Sequence, residues 1–210
     1  MNEGATERAA MWDARYALAP YAYGEAANAF LVAQAPRLEP GMRALVPGDG
    51  EGRNGVWLAE QGLVVDTLDL SAQGVAKALR LAATRGVKLN ATQADALAWD
   101  WPREVYDVVA LIYLHLAADE RRFVHARALA ALKPGGLLIL EAFRPEQLAA
   151  QAAGARGGPR DARLLYSAVD LSADFAGQEI VELAETSATL VEGALHVGSS
   201  EVVRAVVRKT

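Results

Sequence analysis

From Met42 to Phe143 the chain repeats one rhythm: a short apolar run, a turn, then a stretch long enough for a helix. "MRALVP", "LVVDTLDL", "VKLNATQAD", "YDVVALIY" and "LLILEAF" read as five strands. Between them, "RNGVWLAEQG", "SAQGVAKALRLAATRG" and "ADERRFVHARALAALKPGG" read as helices, the second with Ser71 as N-cap and Gly86 just past its end, the third ending in a turn. Strands with continuous apolar runs are buried on both faces, as in a parallel sheet clad by helices. Right-handed crossovers then predict a doubly wound α/β sheet with helices on both faces. After Phe143 the rhythm changes. A helical start and a loop rich in Gly, Pro and Arg precede "QEIVELAETSATLVEG" and "ALHVGSSEVVRAVVRKT", which alternate like two antiparallel strands joined near Glu192–Gly193.

Ahead of the first strand, residues 6–35 read as helical, interrupted around Pro20 and Gly24, and carry Trp12, Tyr16, Tyr21, Tyr23 and Phe30. With no linker and no repeat, the expectation is one domain, 1–210: an aromatic-rich N-terminal segment, 1–40, and an α/β core, 41–210. Tyr16, Tyr21 and Tyr23 are candidates for a substrate lid, because Pro20 and Gly24 break the helix there and aromatic rings can cap a cation.

Composition narrows the function. A net charge of −5 argues against a nucleic-acid backbone as main partner, since neutralising phosphates needs a basic face. With no cysteine there is no thiol nucleophile, disulfide framework or Cys-based zinc site. His115, His125 and His196 are scattered, so no metal site is expected. The N-terminus lacks the layout of a signal peptide and no apolar run approaches membrane length, so a cytoplasmic protein with no membrane partner is expected. Oligomeric state is not legible.

The chemistry lies in "ALVPGDGEGRNGVWLAEQG", residues 44–62. In an open α/β sheet, ligands bind beyond the carboxyl ends of the strands. Gly48, Gly50 and Gly52 let backbone approach a ligand, and the helix that follows presents free N–H groups suited to a carboxylate or phosphate. Asp69 ends the second strand, where a carboxylate can accept from both hydroxyls of a ribose. Asp95, followed by Ala96, ends the third, where an acceptor and an N–H can read an adenine edge. Glycines, an acid and another acid at three consecutive strand ends form a nucleoside signature. Gly50, Gly52 and Gly55 also spell GxGxxG, but this begins four residues past Val46, and no second domain is evident for a hydride acceptor.

These residues resemble the class I S-adenosylmethionine-dependent methyltransferases. "ALVPGDGEGRN" looks like the family's first motif, "VVDTLDLS" its ribose-binding strand end and "QADAL" its adenine-side motif. "YDVVALIYLHL" looks like its fourth strand, and "LKPGGLLILE" like its turn and fifth strand. The resemblance implies a Rossmann-like, seven-stranded, mostly parallel sheet with a C-terminal antiparallel hairpin. It implies S-adenosylmethionine as cofactor, with Leu70 and Ile112 as apolar walls and Arg53 and Asn54 reaching the cofactor carboxylate. "MWDARYALAPYAYGEAANAFL" with "GEGRNGVWLAEQG" is similar to the tellurite-resistance and thiopurine methyltransferase-like branch, which implies a small acceptor such as a chalcogen oxyanion or thiol. The family usually has an acid at the end of strand one, where Val46 stands here, and a small residue in mid-turn, where Asp49 stands. Asp49 is expected to take over the amino-group contact. On the substrate side, Tyr113, His115, Glu141 and His196 are the catalytic candidates, and Arg144, Arg156, Arg160 and Arg163 surround Gly157-Gly158-Pro159, where they can draw in an anion. Two other functions fit the same turn: a nicotinamide-dependent oxidoreductase, and a noncatalytic S-adenosylmethionine-binding protein.

Overall fold

A computed structural model describes residues 3–210. Its strands form one seven-stranded sheet, ordered β3-β2-β1-β4-β5-β7-β6, with helices around it. The chain divides into two compact units, one ending at Asp100 and the other running from Trp101 to Thr210.

In the first unit, β1 (Arg43–Pro47), β2 (Val64–Asp69) and β3 (Asn90–Gln93) pair in parallel, with Arg43 opposite Val64 and Asp66 opposite Asn90. Helices α3 (Arg53–Glu60) and α4 (Ala72–Arg85) connect them. Ser71 caps α4 by accepting from Gly74 N–H, and Gly86 (φ +70°) closes it in the left-handed conformation, both as expected. The third strand is shorter than the apolar run and stops two residues before Asp95. The N-terminal helical stretch separates into α1 (Glu3–Tyr16), an irregular segment over 17–28, and α2 (Ala29–Ala33), which Asn28 caps by accepting from Leu31 N–H.

In the second unit, β4 (Tyr106–Ile112) pairs in parallel with β5 (Leu132–Phe143). The antiparallel β6 (Glu179–Glu192) and β7 (His196–Arg208) follow, β7 lying against β5. The joint between helix and strand differs from the sequence reading. Helix α5 (Ala118–Ala131) ends before "LKPGG", and these residues, expected as a turn, belong to β5, because Leu132 already pairs with Tyr106 and Lys133 Nζ reaches the Asp107 carboxylate at 2.8 Å. Of the two later helices, α6 (Gln147–Ala152) is the expected helical start. The other, α7 (Ala168–Asp174), was not foreseen; a capping box between Ser167 and Asp170 nucleates it. Asp174 on α7 receives Arg121 Nε at 2.7 Å and His125 Nδ1 at 2.8 Å, so the isolated His125 belongs to a buried ion cluster that fastens α7 to α5.

No helix among the described residues is long and apolar enough to cross a membrane, and no group of three or more His, Cys, Asp or Glu among them could hold a metal ion.

Candidate functional site

The turn after β1 gathers the candidate residues of the first unit. Gly48, Gly50 and Gly52 all have left-handed backbone (φ +68°, +58° and +91°), which glycine alone adopts at no steric cost. The turn is closed by acids. Asp69 Oδ2 accepts from Gly50 N–H at 2.8 Å and Oδ1 from Ser71 N–H at 2.8 Å. Each oxygen has spent one acceptor site on backbone and keeps another. Burial raises the Asp69 pKa to about 6, against the Ser71, Gly50 and Leu70 amides that favour its charged form.

Asp49 turns inward. Both its oxygens face Gly55 N–H, at 3.3 and 3.2 Å, so it acts on the first turn of α3. Burial pushes its pKa to about 8, opposed by the Gly55 amide and reinforced by the charge of Asp69. A Cβ on Gly55 would lie 2.4 Å from Asp49 Oδ2 and 2.6 Å from Thr67 Cγ2. That glycine, the last of the GxGxxG match, is therefore required by packing.

Tyr16, the last residue of α1, reaches the turn. A Cβ on Gly50 would stand 2.6 Å from the Tyr16 hydroxyl, and one on Gly74 would stand 3.0 Å from its ring. The residue is 5% exposed, stacks on Trp12 and meets Tyr23 edge-on, yet its hydroxyl has no hydrogen-bond partner among the described residues. A phenol donor held at the backbone of Gly50, with an acid at the next strand end, is a donor and acceptor set that fits a nucleoside with an anionic tail.

Other sequence candidates are placed differently. Asn54 Oδ1 accepts from Asn28 N–H at 3.0 Å, and Arg53 Nη1 donates to Ala26 O at 3.3 Å, so both side chains hold the irregular segment. Tyr21 and Tyr23 also lie on that segment. Tyr21 Oη donates to Lys77 O at 3.3 Å, and Arg15 Nη1 donates to Tyr23 Oη at 2.8 Å. Asp95 accepts from Leu97 N–H at 2.9 Å and from Arg8 at 3.4 Å, ahead of the turn that contains Ala96. Leu70 follows β2, and its carbonyl accepts from Gln93 Nε2 at 3.3 Å. The sequence reading passed over Glu51 and Lys77, which form a buried ion pair at 2.6 Å. The available signal was a lysine on the apolar stripe of α4 with Gly74, Ala78 and Leu81, a position that demands a counter-charge.

In the second unit, Ile112 ends β4 and is buried. Tyr113 follows with φ +55°, uncommon for a side chain of its size. Its hydroxyl donates to Glu141 Oε1 at 2.6 Å, and Arg204 Nε donates to Glu141 Oε2 at 2.5 Å. This explains an acid within the apolar fifth strand: Glu141 is 1% exposed and engaged on both oxygens. His115 is committed at both nitrogens. Nδ1–H donates to Leu164 O at 2.7 Å, which leaves Nε2 to accept from Phe143 N–H at 3.3 Å. Burial lowers its pKa to about 4, so the ring is neutral across the physiological range. The His196 ring meets Tyr113 and Phe143 edge-on and its Nδ1 lies 3.0 Å from Glu192 Oε2. Tyr113, His115, Phe143 and His196 thus come together. The arginines do not act as one group. Arg144 is bound by Glu201, Glu146 and Glu185, Arg163 by Asp161, and Arg156 pairs through its backbone with Val197.

Known proteins share part of this sequence and its fold. The tRNA 5-carboxymethoxyuridine methyltransferase of Escherichia coli strain K12 is 33% identical over 102 residues, 47% of this chain; the chain spans only 39% of that relative's length. A structure described for the conversion of a disulfide bond into a thioacetal group during echinomycin biosynthesis superimposes with a TM-score of 0.78 at 22% identity, covering 96% of this chain and 91% of its own. N-methyltransferase NodS from Bradyrhizobium japonicum WM9, in complex with S-adenosyl-L-homocysteine, gives 0.72 at 14% identity over 96% and 97%. TehB from Haemophilus influenzae gives 0.71 at 16% identity over 88% and 63%. The chain has the Rossmann-like methyltransferase fold, and its residues 44–136 match the family model described as a methyltransferase domain.

Proposed function

We propose that this protein is an S-adenosylmethionine-dependent methyltransferase that acts on a small nucleophile. The observation that carries the reading is the turn after β1: three left-handed glycines, Asp69 hydrogen-bonded to the middle one, and the unpartnered Tyr16 hydroxyl at the same glycine. The match of residues 44–136 to a methyltransferase domain supports it, as does the fold shared with a structure that holds S-adenosyl-L-homocysteine. When bound, the cofactor supplies a methyl group already activated on a sulfonium.

The chain's own residues then bind and orient. The glycine backbone admits the methionine part, the remaining acceptor sites of Asp69 take the ribose hydroxyls, and the Tyr16 hydroxyl donates to the anionic tail. In the second unit, His115 moves no proton, since both nitrogens are held and its pKa lies near 4. The Tyr113 hydroxyl is directed to Glu141, whose charge Arg204 already balances. With His115, Tyr113 and Glu141 already engaged, the acceptor this group suits is one that arrives with its lone pair available, such as a chalcogen oxyanion or thiolate. A second reading has its own support. The relative of 33% identity acts on tRNA, so a tRNA acceptor belongs in the same screen, although a net charge of −5 favours a small molecule.

The test is calorimetric titration with S-adenosylhomocysteine and, separately, NADH. Saturable binding of the first alone, lost in Asp69→Ala, is the expected result. Binding of NADH alone would replace the reading with an oxidoreductase. Binding of S-adenosylhomocysteine without turnover of oxyanion, thiol, amine or tRNA acceptors would leave a noncatalytic binder.

A further inference from the structure

Segment 17–28 has no regular structure, yet its backbone is fastened by buried charge. Lys77, 4% exposed, directs its ammonium at three acceptors: Leu18 O at 2.5 Å, Pro20 O at 2.9 Å and Glu51 Oε1 at 2.6 Å. The other oxygen of Glu51 accepts from Ala22 N–H at 2.7 Å. Lys77 also lies 5.1 Å from the Tyr21 ring centroid. An ammonium has three donors, and here all are spent on protein. The Leu18 side chain is 67% exposed while its carbonyl is held, so charge, and not apolar burial, fastens the backbone at this point.

Glu51 stands between Gly50 and Gly52, inside the turn itself. Tyr16, whose hydroxyl closes on Gly50, is two residues ahead of Leu18. Swinging Tyr16 aside therefore pulls on the peptide that Lys77 holds, and shifting the turn moves the carboxylate that holds Ala22.

We propose that Glu51 and Lys77 are positioning residues forming a latch, which fastens segment 17–28 as a strap and couples its release to ligand access at the glycine turn. The access part rests on the reading of that turn as the cofactor site; the latch itself does not. Two acceptors of Lys77 are backbone carbonyls and Glu51 serves a backbone N–H, so the two charges are not interchangeable. The swap Glu51→Lys with Lys77→Glu restores opposite charges but puts a carboxylate against the Leu18 and Pro20 carbonyls.

The experiment follows amide hydrogen exchange over 17–28, together with stopped-flow association and dissociation of S-adenosylhomocysteine. It compares wild type, Lys77→Met, the swap, and the double variant Glu51→Leu/Lys77→Met. The double variant replaces the pair with apolar side chains and leaves no buried charge alone, so it keeps the fold where the single change fails. In the double variant, exchange over 17–28 is expected to quicken about ten-fold or more, with dissociation quickening similarly, because hydrogen bonds to charged groups are lost. The swap is expected to behave like the double variant. Wild-type exchange in a folded double variant overturns the latch, as does restoration of wild-type behaviour by the swap, which would leave a simple ion pair. Faster exchange with unchanged ligand kinetics overturns the coupling. Failure of S-adenosylhomocysteine to bind wild type also overturns the coupling and removes the cofactor reading, while the exchange data still decide the latch.

Discussion

Gly52→Ala is expected to cost about 2–5 kcal/mol of stability, enough to lower Tm by on the order of 10 °C in a chain of this length. Two costs add. At φ +91° the backbone is left-handed, which charges any Cβ about 1–2 kcal/mol. The Cβ would also stand 2.5 Å from Ala78 Cβ and 2.6 Å from Ala78 Cα, where α3 begins against α4. The second contact is with backbone, so no rotamer relieves it, and overpacking of this kind costs about 1–3 kcal/mol. Gly86→Ala isolates the conformational cost. Gly86 has φ +70° and nothing within 4 Å of its Cβ position, so about 1–2 kcal/mol is expected there. Urea denaturation of both variants measures the difference. Equal losses would mean that α3 and α4 can part without penalty, and that Gly52 serves the turn's conformation alone.

This glycine shows how far the sequence could be read. Spacing marked the turn, and the structure adds that Gly48, Gly50 and Gly52 have left-handed backbone. Periodicity found the strands because a run such as "YDVVALI" stays apolar wherever it is buried, and it found α4 because Ser71 and Gly86 mark its ends locally. The limits of local reading appear at "LKPGG", which reads as a turn and yet joins β5, since pairing of Leu132 with Tyr106 is a tertiary fact. The same holds for side chains. Nothing near Asn54 or Arg53 says that each will hold a segment some 26 or 27 residues away, and their partners are backbone groups with no side-chain identity to read. His115 looked like a base because histidine at a strand end can be one. The contacts that occupy its two nitrogens, Leu164 O and Phe143 N–H, come from residues far along the chain.

Asp49 gives the protein an unusual pH dependence. Most carboxylates in folded proteins are paired, and their loss on acidification destabilises the native state. Asp49 runs the other way. Its folded pKa is raised to about 8 by burial, while in the unfolded chain it is an ordinary aspartate near 3.9. Between those values the unfolded state has released the proton that the folded state keeps, so stability falls as pH rises and levels off only above about 8. Asp69 adds a slope of the same sign that ends near its own pKa of about 6. The window from pH 6 to 8 therefore isolates Asp49. Asp49→Asn keeps an oxygen to accept from Gly55 N–H but carries no titratable proton. Stability curves of wild type and variant are expected to diverge across this window by about 1.4 kcal/mol per pH unit at most, with the variant gaining as pH rises. Histidines, whose unfolded pKa falls in the same range, contribute to both curves and cancel. Parallel curves would show that Asp49 is ionised in the folded protein, with a counter-charge drawn to the turn. It would then stand as the acid that the first strand lacks at Val46.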